Sequence, residues 1–71
     1  MFTFPHTVKI IGKQVNVYAS PRGYIKVGET ILELTQLQKD MTKYNDDLWN
    51  KYIEGLFKQA VKNERKRMKN G

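Results

Sequence analysis

Catalysis by side chains needs a nucleophile, acid, base or metal ligand held against a second group, and this 71-residue sequence offers few such pairs. It has no cysteine and one histidine, His6, which follows Pro5 and has no neighbour suited to orient it. Asp46 and Asp47 are adjacent, and on a helix they diverge by about 100° instead of converging on a metal or a scissile bond. Glu29 and Glu33 stand four apart, a spacing that a helix start accounts for. Gly12-Lys13 lacks the further glycines of a phosphate-cradling loop, and no glycine-rich dinucleotide fingerprint is present. The expectation is a protein that is not an enzyme and has no catalytic residue, metal or cofactor.

The remaining chemistry is binding. Residues 58–71 carry Lys58, Lys62, Arg65, Lys66, Arg67 and Lys69 against Glu64 alone, which accounts for +5 of a net charge of +6. Cations in the last turns of a helix are favoured by its dipole, each by about 0.3–1 kcal/mol, so a solvated helix end explains the run. Contact with phosphates or an acidic surface is the alternative use. Upstream, Lys9 and Lys26 accompany Tyr18 and Tyr24, with Lys13 and Arg22 at turns. Cations neutralise phosphates and aromatic rings stack on bases, although lysine and tyrosine also furnish ordinary solvent-facing sheets. The candidate nucleic-acid-binding residues are therefore Lys9, Tyr18, Lys26, Lys62, Arg65, Lys66, Arg67 and Lys69.

Those residues need a scaffold, and the first 27 positions alternate as strands do. Val8 and Ile10 flank Lys9, Val15 and Val17 flank Asn16, and Ile25 and Val27 flank Lys26. Strands are predicted at about 7–11, 14–19 and 24–27. Gly12-Lys13 suits a two-residue loop that sets Ile10 opposite Val15 and Val8 opposite Val17. Ser20-Pro21-Arg22-Gly23 suits a three-residue loop that sets Ala19 opposite Ile25 and Val17 opposite Val27. Both turns put Val8, Ile10, Val15, Val17, Ala19, Ile25 and Val27 on one face, and a one-residue slip would expose them all. Pro5 starts the first strand after it, on a sheet edge, and Phe2 and Phe4 share the parity of Val8.

Beyond Gly28 the period becomes helical. Ile31, Leu34, Leu37, Met41, Tyr44, Leu48, Tyr52 and Leu56 follow at spacings of three or four. Thr30 with Glu33 forms a capping-box pattern, Thr35 with Gln38 forms another, and Asn45-Asp46-Asp47 reads as a further cap. Thr30 to Leu34 also suits a prolonged third strand. The unbroken stripe predicts one helix over about 31–68, roughly 55 Å long, on a sheet whose strands span only ~20 Å. Leu48, Trp49, Tyr52, Ile53, Leu56 and Phe57 widen the stripe where the sheet runs out, and Gly55 would admit a close neighbour or end the helix. With a chain too short to fill a large core, these seven residues predict a homodimer interface.

The fold class expected is α+β: one domain, 1–71, a three-stranded antiparallel β-meander followed by one long C-terminal helix, dimerising through it. In architecture it is similar to the arm-binding domains of some phage and transposon integrases. From Thr7-Val8-Lys9-Ile10-Ile11 through Leu56-Phe57-Lys58-Gln59-Ala60 the chain resembles Yopt, a family of small Bacillus prophage proteins. That resemblance implies three strands and one helix per subunit, a homodimer and no assigned activity. Without a membrane-length apolar run or a signal-peptide pattern, the expected location is the cytoplasm, with no membrane partner. The expected role is that of a homodimeric accessory protein binding another macromolecule, primarily a protein. Nucleic acid through the basic helix end and the Lys/Tyr sheet face is the alternative.

Overall fold

The inward set of β-branched residues assembles a sheet one strand wider than expected. The computed structural model describes residues 5–70, so Phe2 and Phe4 lie outside the described residues. Four antiparallel strands, β1 (Thr7–Ile10), β2 (Lys13–Ser20), β3 (Tyr24–Val27) and β4 (Thr30–Glu33), lie side by side in sequence order. Two helices follow, α1 (Gln36–Thr42) and α2 (Asp46–Asn70). The α+β class stands, as an antiparallel sheet with a long C-terminal helix. β2 is the longest strand: its residues 13–16 pair with β1 and its residues 17–20 with β3.

The expected pairing of β2 with β3 is observed, with Ala19 opposite Ile25 and Val17 opposite Val27. Gly23, at φ 98°, donates its N–H to the Ser20 carbonyl at 3.0 Å and closes the loop. The first hairpin differs. Its loop is Ile11-Gly12, both at positive φ (52° and 74°), as a type I′ turn requires. Val8 therefore faces Val15 and Ile10 faces Lys13, a register two residues from the one expected. A two-residue slip is one full pleat period, so the same side chains stay inward.

Thr30 and Ile31 belong to a fourth strand, not to a helix. Gly28, at φ 60°, opens a two-residue loop with Glu29, and β4 returns along β3 with Leu32 opposite Ile25 and Ile31 opposite Lys26. Leu32 extends the inward row Ala19, Ile25, Leu32, whereas Ile31 points outward and is 60% exposed. The three-residue spacing from Ile31 to Leu34 was compatible with a helix, but β-branching and the glycine turn favour the strand.

The single helix is also corrected, to two. Thr35 caps α1: its Oγ1 accepts from the Gln38 N–H at 3.1 Å, and its own N–H donates to Gln38 Oε1 at 3.0 Å. After residues 43–45, Asn45 Oδ1 accepts from the Leu48 N–H at 3.0 Å, and Asp46 and Asp47 occupy the first turn of α2. The side chain satisfies an orphan donor and the acids face the positive end of the dipole, so a new helix starts where the stripe ran through.

The break changes what covers the apolar rows. α2, about 37 Å long, runs the length of a molecule 38 Å in its longest dimension. It packs on β1, β3 and β4. Ile53 and Ala60 are fully buried, and Leu56, Phe57, Val61 and Met68 pack against the cluster of Ile10, Val15, Ile25, Val27 and Ala60. Of the residues expected to bind a second chain, Ile53, Leu56 and Phe57 are thus used within this one, while Leu48, Trp49 and Tyr52 are half-buried. Gly55 lies inside α2, so it marks no helix end, and it faces open space.

Two measurements follow. Ile53→Ala is expected to lower the unfolding free energy by about 2–5 kcal/mol in a urea titration. Gly55→Ala is expected to raise it by about 0.5–1 kcal/mol, since the helix gains propensity and a Cβ meets nothing there. A loss of stability at Gly55→Ala would instead reveal a partner in that space.

Candidate functional site

Strand alternation directs Thr7 and Lys9 of β1, Gln14, Asn16 and Tyr18 of β2, Tyr24 and Lys26 of β3, and Ile31 and Glu33 of β4 away from α2. Lys9, Gln14, Asn16, Tyr18, Lys26 and Ile31 are all exposed, so among the described residues no helix covers this outer face. Lys26 stands directly between Tyr18 and Ile31 across three strands. The Tyr18 and Tyr24 rings lie 5.9 Å apart between centroids and are tilted by 47°. Tyr18 keeps 55% of its surface in solvent. Lys9 sits apart from these three, opposite Gln14 on β1.

At one end of the sheet an open groove is lined by Lys13, Asn16, Tyr18, Lys26, Arg67 and Met68, among others. Of the expected basic set from residues 62–69, Arg67 lines this groove together with Tyr18 and Lys26. What holds it there is Glu64, which in the sequence stands out only as the lone acid in a basic run. Glu64 is only 2% exposed. Its Oε1 accepts from Thr30 Oγ1 at 2.9 Å and from Arg67 Nε at 2.8 Å, and its Oε2 from Arg67 Nη2 at 2.7 Å. The bidentate Arg67 contact is the main cause that lowers the Glu64 carboxyl from 4.5 to about 2. Burial opposes that shift, while Thr30 and the Glu29 N–H support it. Glu64 in turn raises the Arg67 guanidinium, with Glu29 contributing at 3.9 Å.

Lys62, Arg65, Lys66 and Lys69 take another direction. At about 100° per residue they project from the side of α2 opposite Ile53, Ala60 and Glu64, and all four are exposed. Among the described residues none of the four has an ion pair, whereas Lys58 meets Glu54 at 3.7 Å. The candidate residues therefore form two surfaces on opposite sides of the molecule, not one.

The acids considered for catalysis remain apart. Glu33 pairs with Lys39 at 2.8 Å, Glu29 faces Arg67, and Asp46 and Asp47 are exposed at the start of α2. Among the described residues no group of three or more His, Cys, Asp or Glu side chains could hold a metal ion, and no helix is long and apolar enough to cross a membrane. The apolar stripe expected to lie on the sheet turns outward here: Leu37 and Met41 of α1 and Tyr44 just after it are 69%, 47% and 91% exposed. No family model matches the chain, and neither the curated proteins nor the solved structures contain a significant match.

Glu64 makes stability depend on acid. Its folded pKa lies below its unfolded one, so its contribution is complete above about pH 4.5 and is lost as pH falls through about 2. An acid titration followed by circular dichroism should show that loss, and Glu64→Gln should flatten the curve over this interval. Gly28→Ala should destabilise at every pH, because φ is 60° and an added Cβ would collide with the Glu64 carboxylate.

Proposed function

We propose that the chain is a non-catalytic nucleic-acid-binding protein whose principal contact surface is the outer face of the sheet. The observation that carries this reading is the exposed cross-strand pair of Tyr18 and Lys26, with Tyr24 beside it, on a face that no helix covers. A ring that stacks and a cation that neutralises phosphate are the two elements of sequence-tolerant single-strand binding. Lys9, on the same face of β1, adds a further cation along the first hairpin. The stripe of Lys62, Arg65, Lys66 and Lys69 supplies cations without aromatics. It is a secondary phosphate contact, reached by a different stretch of nucleic acid because it lies on the other side of α2.

One observation favours a second reading, a protein-binding accessory protein that works as a homodimer. Leu37, Met41 and Tyr44 present an apolar stripe to solvent in a chain with a small core. Sedimentation at micromolar concentration separates the two states: an 8.4 kDa species counts against self-association, and a species of twice that mass supports it.

Fluorescence anisotropy with labelled single-stranded DNA, RNA and duplex DNA, from about 50 to 200 mM salt, tests the first reading. Affinity should fall steeply with salt and favour the single strands. Lys26→Ala should reduce the salt slope by about one and Tyr18→Ala should weaken binding to single strands about tenfold. No binding to any of the three at 50 mM salt would reject a nucleic-acid role.

A further inference from the structure

At the end of the molecule away from Glu64, the loop of residues 21–23, α1 and the first turns of α2 enclose a groove of about 570 Å³. That volume is in the range of small-ligand sites, roughly 300–1,000 Å³. Pro21, Leu34 and Trp49 contribute its apolar walls, and Arg22, Lys39 and Lys43 stand over it against the single acid Asp46. Lys39 is committed to Glu33 at 2.8 Å. Among the described residues Arg22 and Lys43 have no ion pair, Lys43 Nζ lying 5.6 Å from the centroid of the Tyr44 ring, so the groove carries a positive charge that no acid compensates beside a half-buried indole.

We infer that this groove holds one unpaired nucleotide of a single strand, its base against Trp49 and its phosphate between Arg22 and Lys43. An aromatic wall with cations at the rim complements a flat, apolar ring that carries an anion, and a purely apolar occupant would leave the cations unused. The groove also adjoins the end of the proposed contact surface: Ser20, which lines it and is itself buried, pairs with Tyr24 across the sheet, and residues 21–23 lead from that pair to the rim of the groove. The inference rests on the nucleic-acid reading and adds to it a discrete base site.

Trp49 is the only tryptophan in the chain, so its emission reports on the groove without a label. The full chain is titrated with an oligothymidylate of about ten nucleotides at 50 mM salt, following Trp49 emission and, separately, the anisotropy of the same labelled oligonucleotide. The expected result is saturable quenching with the same midpoint as the anisotropy change. Arg22→Ala combined with Lys43→Ala, both on exposed segments, should move that midpoint about five- to tenfold at unchanged helix content. An anisotropy change with unaltered Trp49 emission would overturn the groove and leave the sheet face as the binding surface. Silence in both signals would overturn the groove and the nucleic-acid role together. Quenching by an acidic aromatic peptide but not by the oligonucleotide would also overturn the inference, in favour of a protein ligand.

Discussion

Glu64 sits under the Gly28-Glu29 turn with almost no access to water, and the arrangement of the rest of the chain depends on keeping that charge satisfied. An isolated buried carboxylate costs several kcal/mol, and a buried ion pair recovers that cost only when its geometry is good and its remaining lone pairs are occupied. Here both oxygens receive Arg67, one also receives Thr30, and the Glu29 N–H adds a further donor. These partners come from β4, the turn before it and the next helical turn, so they can meet at only one axial position of α2. The contact therefore sets where the helix lies on the sheet, whatever its net energy. Gly28 is part of the same constraint, since a Cβ there would come within 3.0 Å of Val15 Cγ1 as well as striking the carboxylate.

With α2 located in this way, the division between α1 and α2 decides which apolar groups are covered. A continuous helix would have overhung the sheet and left Ile53, Leu56 and Phe57 for a second chain. Capping by Asn45 lets the helix restart in register with the inner face, and those residues fill the core. The apolar surface left over is displaced onto α1, where Gln38, Lys39 and Thr42 are turned inward and Leu37 and Met41 outward. Thr42 is buried without an unsatisfied hydroxyl because its Oγ1 donates to the Gln38 carbonyl at 2.8 Å. A surface stripe of this kind adds nothing to the fold of one chain, which is why it favours a role in association.

The same packing sorts the cations. Glu64 and Glu29 take up the charge of Arg67 at the sheet end, while the helical period turns Lys62, Arg65, Lys66 and Lys69 to the other side. The charge excess that the composition displays is thus split into an aromatic-rich sheet face and a bare helical stripe. On the proposed reading a phosphate backbone finds cations on both, but stacking only on the first and in the groove at Trp49. The proposed function follows from that asymmetry more than from the net charge, which by itself speaks to non-specific attraction.

Much of this was legible in the residues. Alternation assigned the inward set of the sheet, the Ser20-Pro21-Arg22-Gly23 loop set the pairing of β2 with β3, and Thr35 and Asn45 carried their capping chemistry in plain view. Local signals of this sort depend on backbone geometry within a few positions, so the sequence by itself determines them. Other features were choices between local alternatives of similar quality. Thr30 with Glu33 and Thr35 with Gln38 were both capping patterns, and the first lost because Thr30 gains a strand partner in β3 and a carboxylate 34 residues away. The first hairpin could close at Ile11-Gly12 or Gly12-Lys13 without exposing any inward side chain, so the pattern of apolar residues was blind to the slip. Glu64 was invisible as an anchor because nothing near it in sequence shows that Thr30 and Gly28 will meet it. The tertiary structure decided the fourth strand, the helix break, the covering of Ile53 and the two-sided placement of the cations. Each depends on which distant group completes a hydrogen bond or fills a face, and that is settled only when the chain has folded.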